Sequence, residues 1–272
     1  MFTTNPAGGN PAGVWVGDVL PDAAEMQRIA AEVGYSETAF VAPAAGTQRQ
    51  VRYFSPEAEV PFCGHATVGA GAVLGETTGD GTYHLSTPVG VVPVVVRTRD
   101  GVREASLTSV GPRHTAADPR LVGEILDALG WQASELDPAI PPARAYAGAW
   151  HLVLAAETPE RLARLTYDFD RVKRLMLGAG LTTLQLVWRE SPTVFHARNP
   201  FPVGGVVEDP ATGAAAAALA GYLRDSGRLA VPARVHVRQG EAMGRPGHLV
   251  VDVPARGGIV VTGAVVPMPH TP

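Results

Sequence analysis

Lysine and cysteine are almost missing from this 272-residue chain. Lys173 is the single lysine, so 21 of the 22 basic residues are arginine. Pyridoxal phosphate enzymes need a lysine for their Schiff base. Lys173 stands in FDRVKRLM, a charged helical face, which argues against that chemistry. The single cysteine, Cys63, cannot form an internal disulfide and fits a reducing cytoplasm. No apolar run is long enough to span a bilayer. MFTTNPAGGNP has neither the basic nor the apolar region of a signal peptide, so the chain reads as cytoplasmic. The eight histidines show no HExxH or other ligand spacing, so no metal is expected. His84, His114, His151, His196, His236, His248 and His270 read as ordinary surface or core residues. GxSxG is absent, which disfavours a serine hydrolase. Gly69, Gly71 and Gly75 give GxGxxxG, but inside a helical pattern and not at a strand-to-helix turn, so dinucleotide binding is disfavoured.

What is present is ordinary for a soluble globular protein: 46% hydrophobic and 18% charged residues. The net charge of −4 gives no reason to expect nucleic-acid or anionic-membrane partners. The length allows one large domain or two of ordinary size.

Along the chain, GVWVGDVL (Gly13 to Leu20) reads as a strand. PDAAEMQRIAAEVG reads as a helix with Asp22 as N-cap, Glu25 in capping-box position and Gly34 at C′. SETAFVAP and QVRYFSP read as strands, and TYHLSTPVGVVPVVVRT and EASLTSVGP alternate as strands do. A shift to Gly, Pro, His and Asp over Val110 to Pro119 marks a domain boundary. DPRLVGEILDALG is an Asp-capped amphipathic helix, ARAYAGAWHLVLAA a strand region, TPERLARL and DFDRVKRLMLGAG helices, and LTTLQLVW a strand. VHVRQGEAM, HLVVDVP and GGIVVTGAVV close the chain as strands. This is not a clean βαβ alternation, so a doubly wound parallel sheet is disfavoured.

Two stretches resemble each other: PFCGHATVGAGAVL and EDPATGAAAAALAGYL. Each sets a short strand and a Gly- or Pro-containing turn before a helix of Ala, Gly, Val and Leu. On similarity alone, two ordinary buried helices of an alanine-rich chain is the plainer reading. The physics of the turns supports a second reading. Small residues let a helix sit in the middle of a domain, wrapped by sheet. Its unpaired N-terminal amides and its dipole then make an anion site. Few groups beside those turns could move protons: Cys63 and His65 at the first, Glu208 and Asp209 at the second, and Glu37 in YSETAF. Glu37 reads as a strand residue between Tyr35 and Phe40. A carboxyl in apolar surroundings can act as a general acid at neutral pH, although taken alone Glu37 reads more readily as an exposed strand position. Arg52, Arg198 and Arg238 lie on strands near these segments, and one of them could reach a substrate carboxylate.

GGNPAGV, SETAFV, FCGHATVGA and VEDPATGAA, in this order and followed by RQGEAMGRPG, resemble the PhzF-like isomerases, the phenazine-biosynthesis branch of the diaminopimelate epimerase fold. The resemblance covers nearly the whole chain. It implies an α+β fold of two pseudo-symmetric domains, each a mixed sheet wrapped around a central helix, with the active site in the cleft between them. Domain limits of 1–112 and 113–257 follow, with residues 258–272 a strand free to return to the first. The resemblance implies cofactor-free isomerisation of a small unsaturated carboxylic acid by acid/base proton transfer, in secondary metabolism, by a homodimer. By motif, Glu37 is the principal acid/base, and His65 and Asp209 relay the proton. Gly64 and Gly213 offer amides to the substrate carboxylate, and Asn10 and Pro11 line the same site.

Two departures stand out. Ala214 occupies the position where the phenazine enzyme has a serine, which removes a hydroxyl from the site and touches the choice of substrate more than the reaction class. The chain also starts where family members carry more of a first strand, so that strand is expected to be short or missing. Related racemases on this fold face two cysteines across the substrate carbon. With Cys63 alone, two-thiol racemisation is excluded, and Cys63 reads as packed near the site. An amino-acid racemase or epimerase of the same fold and a non-catalytic binding protein remain the alternatives.

Overall fold

The computed structural model describes residues 1–268, which form two compact units. The first comprises Met1–Thr108 together with the chain from Thr262, and the second is Ser109–Val261. Of the histidines named above, His270 lies outside the described residues.

The first unit contains β1 (Gly13–Val16), α1 (Ala23–Val33), β2 (Thr38–Pro43), β3 (Gln48–Phe54), β4 (Glu59–Val60), α2 (Gly64–Thr78), β5 (Gly81–Thr87), β6 (Gly90–Arg99) and β7 (Val102–Thr108). Its strands pair in the order β1-β2-β3-β5-β6-β7, with β4 on β3. β1 runs parallel to β2 and β3 to β5, while the remaining neighbours are antiparallel. α2 packs against β1, β2, β6 and β7, so the sheet wraps it. Its sequence explains how. Ala66 to Ala72, Leu74 and Gly75 are all buried. A Cβ on Gly71 would stand 2.6 Å from Val94 Cγ1, and one on Gly75 would stand 2.5 Å from Val96 Cγ1. Only a helix without side chains at these points can approach the strands so closely. α1 covers the other face of the sheet, where Met26 and Ala30 meet Phe40 and Phe54.

The first strand is shorter than its sequence pattern. β1 ends at Val16, and Gly17 lies where a Cβ would strike the Trp15 ring at 2.2 Å. Residues 1–3 form no assigned strand, although Phe2 is buried and Thr3 N–H donates to the Ala264 carbonyl at 3.0 Å. Asp22 caps α1 by accepting from Glu25 N–H at 2.9 Å, and Gly34 ends it at φ 69°. The Glu25 carboxylate pairs with Arg28.

The second unit contains β8 (Arg113–Ala116), α3 (Pro119–Leu129), β9 (Ala143–Tyr146), β10 (Trp150–Ala156), α4 (Pro159–Ala163), α5 (Phe169–Ala179), β11 (Thr183–Ser191), β12 (Val194–Arg198), β13 (Pro200–Phe201), β14 (Val206–Glu208), α6 (Gly213–Asp225), β15 (Ala233–Gln239) and β16 (Gly247–Val253). The sheet order is β16-β15-β12-β11-β10-β9-β8, and β13 and β14 make a separate two-stranded ribbon. β17 (Val260–Val265) leaves this unit and enters the first, where Thr262 Oγ1 meets Ser106 Oγ of β7 at 2.8 Å. α6 packs on β8, β9, β10, β11 and β16, and Ala215 to Leu223 are all buried. α3 and α5 cover the opposite face, where Ile125, Leu129, Val172 and Met176 pack with Leu152, Leu154, Leu184 and Leu186. Strand alternation sends the intervening His151, Thr183 and Gln185 to the α6 face. The architecture is α+β with a mixed sheet around a small-residue helix in each unit.

Candidate active site

In the first unit, Glu37 is the residue before β2, not within it as the sequence pattern suggested. Its backbone carbonyl accepts from Gly13 N–H at 3.0 Å. This pairing continues the β1–β2 ladder by one step and leaves the side chain at the strand mouth. His65 stands in the first turn of α2, two residues after the N-cap Cys63. His65 Nε2 lies 3.3 Å from Glu37 Oε2 and 3.3 Å from Ser36 Oγ. Cys63 Sγ lies 3.4 Å from His65 Nδ1 and 3.9 Å from Nε2, so it sits over the ring and not along a lone pair.

Glu37 and His65 are half-withdrawn from solvent, with 19% and 11% of their side chains exposed. The contact between them is close, yet it does not meet the angular requirements of a hydrogen bond. Glu37 Oε2 is buried with no hydrogen-bond partner among the described residues. A carboxylate oxygen removed from water and left without a donor is costly unless a ligand supplies one.

Burial holds His65 below the usual imidazole range; the Glu37 carboxylate pulls it up, and the Met1 ammonium pushes it down again. A neutral imidazole can accept a proton at one nitrogen while carrying one on the other, as a relay must. The ligand atoms of Glu37, Cys63 and His65 lie within 4.8 Å of one another, so among the described residues these three are the side chains grouped closely enough to hold a metal ion.

Other residues named from sequence lie in the same unit. Asn10 is buried, its carbonyl accepts from the Met1 amino group at 2.8 Å, and its N–H donates to the Met1 carbonyl at 3.0 Å. Gly9 makes that loop possible: it adopts φ 60°, and a Cβ there would stand 2.1 Å from the Met1 carbonyl oxygen. Pro11 is half-buried. Gly64 opens α2, and nothing stands within 4 Å of where its Cβ would be. Cys63 gives this helix no side-chain cap, so the first-turn amides keep their positive end.

The second unit assembles the other named residues at the start of α6. Asp209 follows β14, and its N–H donates to the Asn199 carbonyl at 2.9 Å. Thr212 is the N-cap of α6, but its hydroxyl turns back and donates to Asp209 Oδ2 at 2.5 Å. Gly213 and Ala214 begin the helix half-buried. Glu208 is held by Arg198, which also donates to the Ala163 carbonyl at 2.8 Å. That pairing leaves Asp209 as the acidic candidate at this turn.

The three arginines of which one could reach a substrate carboxylate are all engaged by the protein itself. Arg52 makes a bidentate pair with Glu59 at 2.7 and 2.6 Å, Arg198 pairs with Glu208, and Arg238 pairs with Glu190 at 3.1 Å. Ser36, Thr212 and Gln239 touch the candidate groups and were missed. The SET and PATG strings held the first two in plain view. Gln239 lies in RQGEAMGRPG, but nothing in that string showed that its side chain reaches the 209–212 turn from β15.

A family model described as "Phenazine biosynthesis-like protein" matches residues 1–269. The chain belongs to this PhzC-PhzF family. It is 35% identical over 269 residues to a protein of Deinococcus radiodurans named an isomerase, covering 94% of this chain and 85% of that one. It is 33% identical over 255 residues to the trans-2,3-dihydro-3-hydroxyanthranilate isomerase of Pseudomonas fluorescens, covering 90% and 85%. The crystal structure of a PhzF-family phenazine biosynthesis protein from Bacillus anthracis superposes with a TM-score of 0.84 at 24% identity, covering 97% of this chain and 94% of that one. The chain is an isomerase with the diaminopimelate epimerase-like α+β fold of its relatives. Among the described residues, no helix is long and apolar enough to cross a membrane.

Proposed function

We propose that the protein moves a proton between carbons of a small unsaturated carboxylic acid, by general acid/base catalysis and without a cofactor, in the cytoplasm. The observation that carries this reading is Glu37 Oε2, buried, 3.3 Å from His65 Nε2 and without a hydrogen-bond donor among the described residues. Such an oxygen is poised to take a proton from an acidic carbon and to give it back at another. On the relay route, neutral His65 takes that proton from Glu37 and the relay returns it in place of Glu37, with Ser36 Oγ 3.3 Å from His65 Nε2. In this reading Asp209 takes part in the same reaction. The first-turn amides of α2 and α6, at Gly64 and at Gly213 and Ala214, bind the substrate carboxylate, and Asn10 and Pro11 shape the first of these ends. Acid/base transfer of this kind contributes on the order of 10²–10⁴-fold in rate, and holding the substrate in place supplies more.

The named activity of the Pseudomonas fluorescens relative supports an unsaturated ring carboxylate as the substrate class. Ala214 brings no hydroxyl to the first turn of α6, so the substrate of this chain makes no hydrogen bond to a side chain there. A homodimer serving secondary metabolism completes the proposal. Glu37→Gln tests it: the variant should lose at least about 100-fold in turnover while its thermal midpoint stays within a few degrees. Full turnover in Glu37→Gln would sink the assignment.

A further inference from the structure

Asp209 is gripped by Thr212 of its own motif and by Gln239, which that motif does not supply. Gln239 is 1% exposed and ends β15 beneath the 209–212 turn. Its Nε2 donates to the Asp209 carbonyl at 2.7 Å and to Thr212 Oγ1 at 3.0 Å. Its Oε1 accepts from Thr212 N–H at 3.2 Å. The carbonyl of Asp209 can only accept and the Thr212 N–H can only donate, so a single amide orientation satisfies both. In that orientation Gln239 donates to the Thr212 hydroxyl, and the hydroxyl's one proton is left for Asp209 Oδ2, 2.5 Å away. The backbone behind this arrangement is tight. Gly240, at φ 85°, passes so close that a Cβ would stand 2.7 Å from the Pro210 carbonyl oxygen and 2.3 Å from that of Arg245.

We propose that Thr212 and Gln239 are positioning residues for Asp209. Gln239 fixes the direction of the Thr212 hydroxyl, and the hydroxyl fixes the rotamer of the Asp209 carboxylate by a charge-assisted hydrogen bond. The role of Asp209 in proton transfer rests on the function proposed above, whereas the orientation of its carboxylate does not.

The test therefore has two arms, both on the full chain. In the first, crystal structures of Thr212→Val, Thr212→Ser and Gln239→Met are compared with that of the unmodified protein. We expect Asp209 in one rotamer, facing residue 212, in the unmodified protein and in Thr212→Ser, and turned away or split between rotamers in Thr212→Val and Gln239→Met. An Asp209 rotamer unchanged in Thr212→Val overturns the inference. In the second arm, turnover of trans-2,3-dihydro-3-hydroxyanthranilate is followed alongside Asp209→Asn. A hydrogen bond to a charged group is worth about 1.5–3 kcal/mol, so kcat should fall roughly 10- to 100-fold in Thr212→Val with KM nearly unchanged, and Thr212→Ser should restore it. An inactive Asp209→Asn beside a fully active Thr212→Val contradicts the positioning role. An active Asp209→Asn instead contradicts the function proposed for Asp209, while the rotamers still decide the inference.

Discussion

His151 shows how much one buried side chain can commit a fold to a protonation state. Its Nδ1 lies 2.8 Å from Thr183 Oγ1, and that hydroxyl donates to Asn199 Oδ1 at 2.8 Å. Asn199 Nδ2 donates in turn to Gln185 Oε1 at 2.7 Å. The Thr183 proton is spent on Asn199, so His151 must donate from Nδ1, which leaves Nε2 an unprotonated acceptor. That nitrogen is buried without a partner among the described residues, and burial pushes the imidazole down to about 3. The folded state thus resists a proton that the unfolded chain takes up near pH 6.5. Between about 6.5 and about 3 the unfolded state binds more protons, so stability falls as the pH falls; above that window this residue contributes nothing. The slope approaches about 1.4 kcal/mol per pH unit. Ring-nitrogen NMR shifts should show His151 neutral at pH 5 in the folded protein, and urea midpoints should drop below pH 6. A protonation midpoint near 6.5 in the folded state would contradict this account. The sequence pattern marked His151 as an ordinary core or surface residue. Nothing in HLVLAA shows that its partners are Thr183, in a strand 32 positions later, and Asn199 beyond the next hairpin.

At the scale of elements, α2 and α6 carry the design, and small residues explain both. Gly71 and Gly123 are both helical glycines, but they should respond in opposite ways to an added methyl. In α2, the Cβ of Gly71→Ala would meet Val94 Cγ1 at 2.6 Å, and overpacking of this kind costs about 1–3 kcal/mol. In α3, Gly123 is exposed with nothing within 4 Å of its Cβ position, and alanine there should gain roughly 0.8–1 kcal/mol of helix propensity. Thermal midpoints should move down for Gly71→Ala and up for Gly123→Ala; an upward shift in both would show that propensity, not packing, governs α2.

Helix ends were the most legible elements, because their signals are local. Asp22, Asp118 and Asp168 each cap the helix that follows, and Gly34, Gly130 and Gly180 end those helices at positive φ. Strand ends were less legible. Trp15 and Gly17 close β1 four residues before its alternating pattern runs out at Leu20. Glu37 falls one position outside β2, because β1 begins at Gly13, whose register partner is Thr38. The β13–β14 ribbon, which delivers Asp209, is too short to leave any periodicity.

At the scale of the whole chain, the same plan appears twice. Each unit wraps a mixed sheet around a helix whose first turn follows a short strand and a turn bearing the candidate proton-moving residues. The sequence carried a trace of this duplication in CGHATVGAGAVL and DPATGAAAAALAGYL, although similarity alone favoured two ordinary buried helices. It did not show which acidic groups are committed elsewhere. The Arg198–Glu208 pair removes Glu208 from the candidates, whereas Glu37 Oε2 keeps an unmet need for a donor.

The central claim is that Glu37 moves a proton on an unsaturated carboxylate. The most direct measurement is proton NMR of trans-2,3-dihydro-3-hydroxyanthranilate and a panel of unsaturated carboxylic and amino acids, incubated in D₂O with the purified protein and with Glu37→Gln. The account predicts deuterium at a ring or alkene carbon with the double bond displaced, in the unmodified protein and not in Glu37→Gln. Deuterium at an amino-acid α-carbon, or exchange that persists in Glu37→Gln, would contradict it.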